Sequence, residues 1–241
     1  IIAAPKGVYR NWHASEFKAH MPEDVVSFTD MCIWNPKETK INVDRLIEFL
    51  KPSHKLKFFI INIEALSTEK GKNYLQRLLN VSKSFFCIDE STNIKNRTAR
   101  RTKACMKLGK LATYRRILTG TTVTQGPLDL WSQMHFLDEF ILQSSFYAYR
   151  NTFCVIQRRR TSTHSFDEIV GYQRLDELQK ILNEHSFRVT KEECLDLPPK
   201  LRQIRHIDMT PAQKRMYVIL KKRAILELER EKLVTAPLII T

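Results

Sequence analysis

Short apolar runs alternate with amphipathic stretches over the first 140 residues, the rhythm of βα units wound around a parallel sheet. The pattern predicts strands at 1–4, 25–28, 58–63, 85–88 and 116–118, with helices between them at 8–20, 43–50, 74–81, 98–112 and 128–137. Phe58-Phe59-Ile60-Ile61 has no polar alternation, which suits a strand covered on both faces. Right-handed crossovers then stack helices on either side of the sheet. The expected fold class is α/β: a parallel sheet with helices on both faces, whose ligands sit beyond the carboxyl ends of the strands.

After residue 140 the rhythm changes. The stretch 141–188 reads as helices with polar connections, including one at 175–182, and so as a helical insertion. Leu197-Pro198-Pro199 reads as a stiff turn, and the alternating segment 204–209 as a strand. Thr210 is placed to cap a helix, Pro211 suits its first position and Gln213 completes a capping box, with the helix running to about Leu233. The expected organisation is a sheet domain at 1–140, a helical subdomain at 141–196, and a linker, strand and long C-terminal helix at 197–241. Ile1-Ile2-Ala3-Ala4-Pro5 already reads as a buried strand and turn, and Pro237 to Thr241 shows no finish, so upstream and downstream sequence is expected to be missing.

Composition narrows the partners. With 43% hydrophobic and 27% charged residues the chain is ordinary globular material. The excess of 40 Lys and Arg over 26 Asp and Glu, a formal charge of +14, favours phosphate-rich partners; solubility is the bland alternative. The five cysteines form no CxxC pair, which argues against zinc and a disulfide framework and fits a reducing cytoplasm. Cys87, within an apolar run, reads as a small core residue. No apolar stretch approaches the ~18–20 residues of a bilayer span, so no membrane partner is expected.

The most specific local pattern is Phe85-Phe86-Cys87-Ile88-Asp89-Glu90, a hydrophobic strand ending in two carboxylates. In nucleotide hydrolases the first acid holds Mg²⁺, usually through water, and the second polarises the attacking water; both need a rigid strand end beside the phosphates. Alone, the pattern also describes a strand entering a surface turn. About 30 residues on, Arg116-Ile117-Leu118-Thr119-Gly120-Thr121-Thr122 supplies a second strand with a hydroxyl and glycine turn at the same end of the sheet. Hydroxyls there can bond the acid pair and sense the γ-phosphate; the other reading is an ordinary turn that uses the backbone freedom of Gly120.

These residues carry a family resemblance. Asp89-Glu-Ser-Thr-Asn-Ile-Lys-Asn96 resembles the DEAH-and-KN segment of the Swi/Snf-like group of helicase superfamily two, and Leu118-Thr-Gly-Thr-Thr122, with Leu128-Asp-Leu-Trp-Ser132 and Phe136-Leu137, resembles its LTGTP and LW-NFL block. Ala4-Pro5-Lys6 with Asn11-Trp12, Ile61-Asn62-Ile63-Glu64, and the run from Arg188 to Lys200 resemble three further blocks in the right order. Gln125-Gly126-Pro127 and 194–200 are similar to bacteriophage-encoded members. The resemblance implies a RecA-like P-loop NTPase lobe, the first of two, from an ATP-driven translocase on double-stranded DNA. It implies ATP and Mg²⁺ as cofactors, and cytoplasmic location, in the host if phage-encoded.

It assigns Asp89 and Glu90 to catalysis, with Asp89 on Mg²⁺ through water. Thr119, Gly120 and Thr121 couple the ATP state, and Pro5, Lys6, Asn11, Asn62, Lys95 and Asn96 hold nucleic acid. Ser91-Thr92 stands where the family has Ala-His, and Thr122 where it has Pro. No GxxxxGK[ST] phosphate loop occurs in the 241 residues, so the isolated chain is expected to be inactive as an ATPase.

Nine basic residues and no acid lie from Lys95 to Arg116; Lys103, Lys107 and Lys110 share one helical face, and a solvated face explains this as well as a DNA track does. Trp12 reads as a core anchor for the first helix rather than a base-stacking residue. Arg158-Arg159-Arg160 reads as an exposed loop, either a phosphate clamp or a tip without a role. A nucleotide-independent DNA-binding or protein-interaction module is the alternative to the motor, and the LW-NFL block disfavours an RNA helicase.

Overall fold

The computed structural model describes residues 1–37, 39–161, 164–194, 196 and 202–230. Five parallel strands form one sheet: β1 (Ile2–Ala4), β2 (Thr29–Ile33), β3 (Leu56–Asn62), β4 (Phe85–Asp89) and β5 (Tyr114–Leu118), in the order β2-β3-β1-β4-β5. Between β1 and β2 lie α1 (Phe17–His20), which continues a π-helical turn at Trp12–Glu16, and α2 (Glu23–Ser27). The next crossovers carry α3 (Lys40–Leu50), α4 (Glu69–Val81) and α5 (Arg100–Gly109), and α6 (Leu128–Leu137) follows β5. This is the expected α/β fold, its sheet covered on both faces.

Alternation along the central strands divides the core. Ala3, Phe59, Ile61, Phe86 and Ile88 face α3, α4 and α5 through Phe49, Leu75, Leu78, Cys105 and Leu108. Ile2, Ala4, Ile60 and Cys87 face the other way, against Tyr9 and Trp12. Phe17 packs on Phe58 there at 4.3 Å between ring centroids. Phe59 is fully buried among Phe49 and Tyr74, and truncating such a ring costs about 3–5 kcal/mol. Cys87 is a core thiol, its pKa pushed up to about 11 chiefly by burial.

Three expectations are corrected. The run 25–28 is not a strand: Pro22 and the acids Glu23 and Asp24 start α2, which outweighs the β preference of two valines, and β2 begins at Thr29. The stretch 141–188 is not all helical. Between α7 (Phe146–Phe153) and α8 (Leu175–His185) lies an antiparallel hairpin, β6 (Cys154–Arg160) and β7 (Ser165–Tyr172). Arg158, Arg159 and Arg160 are therefore strand residues; Arg159 pairs with Glu168 at 2.6 Å. Finally, 204–209 is exposed and joins no strand among the described residues.

The chain divides into two compact units, Ile1–Phe187 and Arg188–Thr241. The second carries α9 (Lys191–Cys194) and α10 (Pro211–Arg230). Thr210 and Gln213 exchange the two bonds of a capping box, Thr210 N to Gln213 Oε1 at 3.0 Å and Gln213 N to Thr210 Oγ1 at 3.3 Å. Leu197-Pro198-Pro199 and Leu233 lie outside the described residues. Among those described, no helix is long and apolar enough to cross a membrane.

Gly71 in α4 shows how tightly the sheet edge is packed. A Cβ there would lie 2.4 Å from the Ala65 carbonyl oxygen, in the 3₁₀ turn Ile63–Ser67 that follows β3. Helix propensity alone favours Ala over Gly by ~1 kcal/mol. Gly71→Ala is nevertheless expected to destabilise, by about 1–3 kcal/mol in urea unfolding; a stabilised variant would show that α4 and the turn can separate freely.

Candidate functional site

Asp89 ends β4 with its carboxylate half-buried. Its Oδ1 accepts from the Glu90 amide at 3.0 Å and its Oδ2 from the Trp12 indole Nε1 at 2.9 Å. Trp12 opens the π turn after β1, and β1 and β4 are neighbours, so this bond ties the carboxyl ends of two central strands. The sheet winds first to one side of β1 and then to the other, the place where α/β sheets open a ligand crevice. Sequence reasoning treated Trp12 as packing only; a contact across 77 residues leaves no local trace.

Glu90 adopts φ 50° and ψ 63°, the left-handed region, at a cost of about 1 kcal/mol for a residue with a Cβ. The turn brings its carboxylate to β5's loop, where Thr119 Oγ1 lies 3.3 Å from Glu90 Oε2. The same hydroxyl lies 3.0 Å from the Thr121 carbonyl and accepts from the Thr121 amide at 3.2 Å. Rotating one hydroxyl therefore passes a hydrogen bond between loop and acid without moving the backbone. Gly120 is exposed, with open space around it and no positive φ, so the special backbone freedom of glycine is not used there.

Behind this pair lies a buried polar bridge. Ser91 and Gln133 are both fully buried. Ser91 Oγ donates to Gln133 Oε1 at 2.6 Å, and Gln133 Nε2 donates to the carbonyls of Thr122 at 2.8 Å and Asp129 at 2.7 Å. Ser91 and the backbone of Thr122, two of the three positions that depart from the family pattern, are thus joined through one amide. Beside them the Asp129 carboxylate accepts from Thr124 N, Thr124 Oγ1 and Gln125 N, and faces Lys95 Nζ at 3.8 Å. Burial works against that carboxylate, but the Thr124 hydroxyl, the two amides and the Lys95 charge outweigh it and hold its pKa below the ordinary value.

The remaining assigned residues fall into two groups. Ala4 pairs with Asn62 in the sheet, and the Glu64 carboxylate accepts from the Lys6 amide at 3.4 Å and from Asn62 Nδ2 at 3.3 Å, which joins the two segments at the carboxyl edge. Pro5 accepts from Val8 N and Tyr9 N at 2.9 Å each, and the exposed Asn11 closes the loop onto Val8. Lys95 and Asn96 turn elsewhere. Lys95 bonds Thr124, and Asn96 Oδ1 accepts from Thr98 N and Thr98 Oγ1 ahead of α5. On α5 itself Lys103 and Lys107 face solvent, whereas Lys110 pairs with Glu139 at 2.8 Å.

A family model described as the SNF2-related domain matches residues 1–237. The chain belongs to this family. The match agrees with the Swi/Snf-like resemblance of its motifs. It is 29% identical over 164 residues to TATA-binding protein-associated factor MOT1 of Saccharomyces cerevisiae, covering 67% of this chain and 9% of that protein. It is 32% identical over 128 residues to the DNA annealing helicase and endonuclease ZRANB3 of Mus musculus, covering 52% of this chain and 12% of that protein. The chain thus spans about a tenth of these relatives' length. The Sulfolobus solfataricus SWI2/SNF2 ATPase core, solved in complex with dsDNA, superposes with a TM-score of 0.54 at 23% identity, over 95% of this chain and 42% of that one. The RecA-like fold of the SNF2-related domain is thereby shown.

Two measurements test the bridge. Gln133→Leu keeps the volume but strands the Ser91 hydroxyl and the Thr122 carbonyl, so it should lower stability by about 1–3 kcal/mol in urea unfolding. Adding Ser91→Ala should recover part of that loss, and a neutral single variant would show the bonds to be dispensable. The depressed pKa of Asp129 stabilises the fold above the unfolded value of about 3.9, and this contribution is lost as pH falls through the lower folded value. The melting temperature of Asp129→Asn should lie below that of the parent at neutral pH, and the two should converge at the acid end.

Proposed function

We propose that this chain is the first motor lobe of an ATP-driven translocase that acts on double-stranded DNA. The observation that carries the reading is the acid pair at the end of β4, held on one side by Trp12 from the β1 loop and on the other by Thr119 from the β5 loop. Asp89 has a half-exposed carboxylate with lone pairs to spare on both oxygens, which fits a hard cation held through water. Mg²⁺ there would neutralise charge on the ATP phosphates. Glu90, whose carboxylate lies 3.3 Å from Thr119 Oγ1, would polarise the attacking water. Thr119, Gly120 and Thr121 form the loop that senses the acid pair, and Pro5, Lys6, Asn11 and Asn62 form a sequence-independent grip on the DNA backbone. Lys95 and Asn96, just after the acid turn, would add to the nucleic-acid contacts.

Family membership and the net charge of +14 support this reading, as do the similarities to a DNA annealing helicase and endonuclease and to an ATPase core solved in complex with dsDNA. The 241 residues carry no GxxxxGK[ST] loop to cradle phosphates, so the lobe on its own is inactive as an ATPase. Bacteriophage origin, with a host-cytoplasmic location, rests on the wording at Gln125-Gly126-Pro127 and 194–200 alone; the relatives named here are yeast and mouse proteins.

In the full-length protein, duplex DNA should stimulate ATP hydrolysis, and Glu90→Gln should lower kcat by at least about 100-fold, the usual scale for a catalytic acid or base. DNA binding without turnover in the unmutated protein would favour a nucleotide-independent adaptor instead. Trp12→Phe keeps the ring's packing but removes the donor to Asp89. The Mg²⁺ concentration for half-maximal activity should rise by about 10-fold, as when other outer partners of a metal ligand are lost; an unchanged Mg²⁺ profile would return Trp12 to a packing role.

A further inference from the structure

A cavity of about 250 Å³ opens beside the carboxyl edge of β2, away from the acid pair. Its walls include Trp34 and Leu46, and its polar lining is Arg10, Asn35, Asn42 and Arg45. Three elements build it. Arg10 comes from the loop after β1, Asn35 follows β2, and Asn42, Arg45 and Leu46 recur on one face of α3. Phosphate groups are small, and this volume lies below the ~300–1,000 Å³ of ordinary small-molecule pockets.

The lining is rich in donors. Arg45 is oriented by Nη2 donating to the Met31 carbonyl at 3.2 Å and by its contact with the Cys32 thiol, and Arg10 by Nε donating to the Tyr9 hydroxyl at 3.2 Å. The Arg10 terminal nitrogens are left for a ligand, and Arg45 brings a second positive charge to the same cavity. No carboxylate of the described residues pairs with either guanidinium. Asn35 Oδ1 is taken by the Lys37 amide at 3.1 Å, which leaves its Nδ2 protons; Asn42 Nδ2 is taken by the Lys37 carbonyl, which leaves Oδ1 as an acceptor. After burial, the charges of Lys18 and Arg45 lower the pKa of nearby His13, the mark of an unbalanced positive field.

We propose that Arg10 and Arg45 form a phosphate-binding pocket for the backbone of nucleic acid, a second contact beyond the loop of Lys6 and Asn11. This rests on the DNA-binding reading above. Two exposed guanidiniums hold a single free phosphate weakly because water screens the pair. A polymer differs, since each neutralised phosphate releases counterions and neighbouring contacts keep the next phosphate close. Anchoring the guanidiniums to Met31 and Tyr9 also reduces the ordering cost of binding.

Counterion release makes the contacts countable. Each neutralised phosphate contributes about 0.9 to the slope of log affinity against log salt. Binding of the protein to a short duplex of random sequence should lose about 0.9 of that slope in Arg10→Gln and in Arg45→Gln, and about 1.8 in the double variant. Between 50 and 200 mM salt this shrinks the loss of affinity about 10-fold. Arg10→Lys with Arg45→Lys keeps both charges and should keep the slope, which separates lost contacts from a damaged fold. An unchanged slope in the double glutamine variant, while Lys6→Gln weakens binding, would overturn the pocket and leave the DNA reading standing. No salt-dependent duplex binding by the unmutated protein would overturn both. Inorganic phosphate should compete no better than chloride at matched ionic strength; saturable competition lost in the double variant would make the ligand a free phosphate and overturn the assignment to the nucleic-acid backbone.

Discussion

The organising constraint is that β1, only three residues long, is buried on both faces and paired on both sides. Ile2 and Ala3 align with Ile60 and Ile61 of β3 on one flank and with Cys87 and Ile88 of β4 on the other. Parallel pairing makes every strand point the same way, so whatever follows β1, β3, β4 and β5 emerges at one edge. The Lys6 loop, Asn62, the acid pair and the Thr119 loop come from positions spread over more than a hundred residues. They share that edge because the backbone N–H and C=O groups of the three buried β1 residues cannot be left unpaired in a dry interior. Polar groups at the strand ends need only be short-range neighbours once the sheet is made.

At that edge two kinds of polar contact coexist. Gln133 is fully buried, and its amide makes one accepted and two donated bonds. Such a bridge is stable because every partner is satisfied, and losing one member exposes the rest to the cost of an unpaired buried group. The contacts of Thr119 are different: exposed, longer, and shared between Glu90 and Thr121. A rigid bridge behind a loosely held hydroxyl gives the loop after β5 a fixed root and a movable tip.

Legibility in the sequence followed the length scale of the forces. Strands β1, β3 and β4 were readable because a two-sided parallel strand needs an unbroken apolar run, edge strand β5 only from its Arg116-Ile117-Leu118 end beside the glycine turn, and α6 at Leu128–Leu137 because its pattern fills whole turns. The capping box at Thr210 and Gln213 was readable because its bonds span three residues. β2 was displaced since its residues Thr29 and Asp30 are polar at an edge, while the valines beside it lie in a helical turn. The hairpin was hidden because three consecutive arginines look like solvent; they hold strand conformation through ladder bonds and cross-strand partners such as Glu168. The carboxylates and the β5 loop could be picked out as candidates, but Trp12, Gln133 and Glu64 could not, since each acts through a partner chosen by the fold.

Glu90 is the place where local and global preferences part. Its left-handed backbone is disfavoured for any residue except glycine, and nothing in its own side chain compensates, for the nearest partner is the 3.3 Å contact to Thr119. Around it the conformation is over-determined. Asp89 Oδ1 accepts from the Glu90 amide, Asn93 donates to the Glu90 carbonyl from both its backbone and its side chain, and Ser91 is buried against Gln133. A glycine would remove the strain but also the carboxylate. The fold therefore tolerates about 1 kcal/mol at one residue because its neighbours leave no other path for the chain, and the result is a carboxylate turned to the loop after β5, 3.3 Å from the Thr119 hydroxyl.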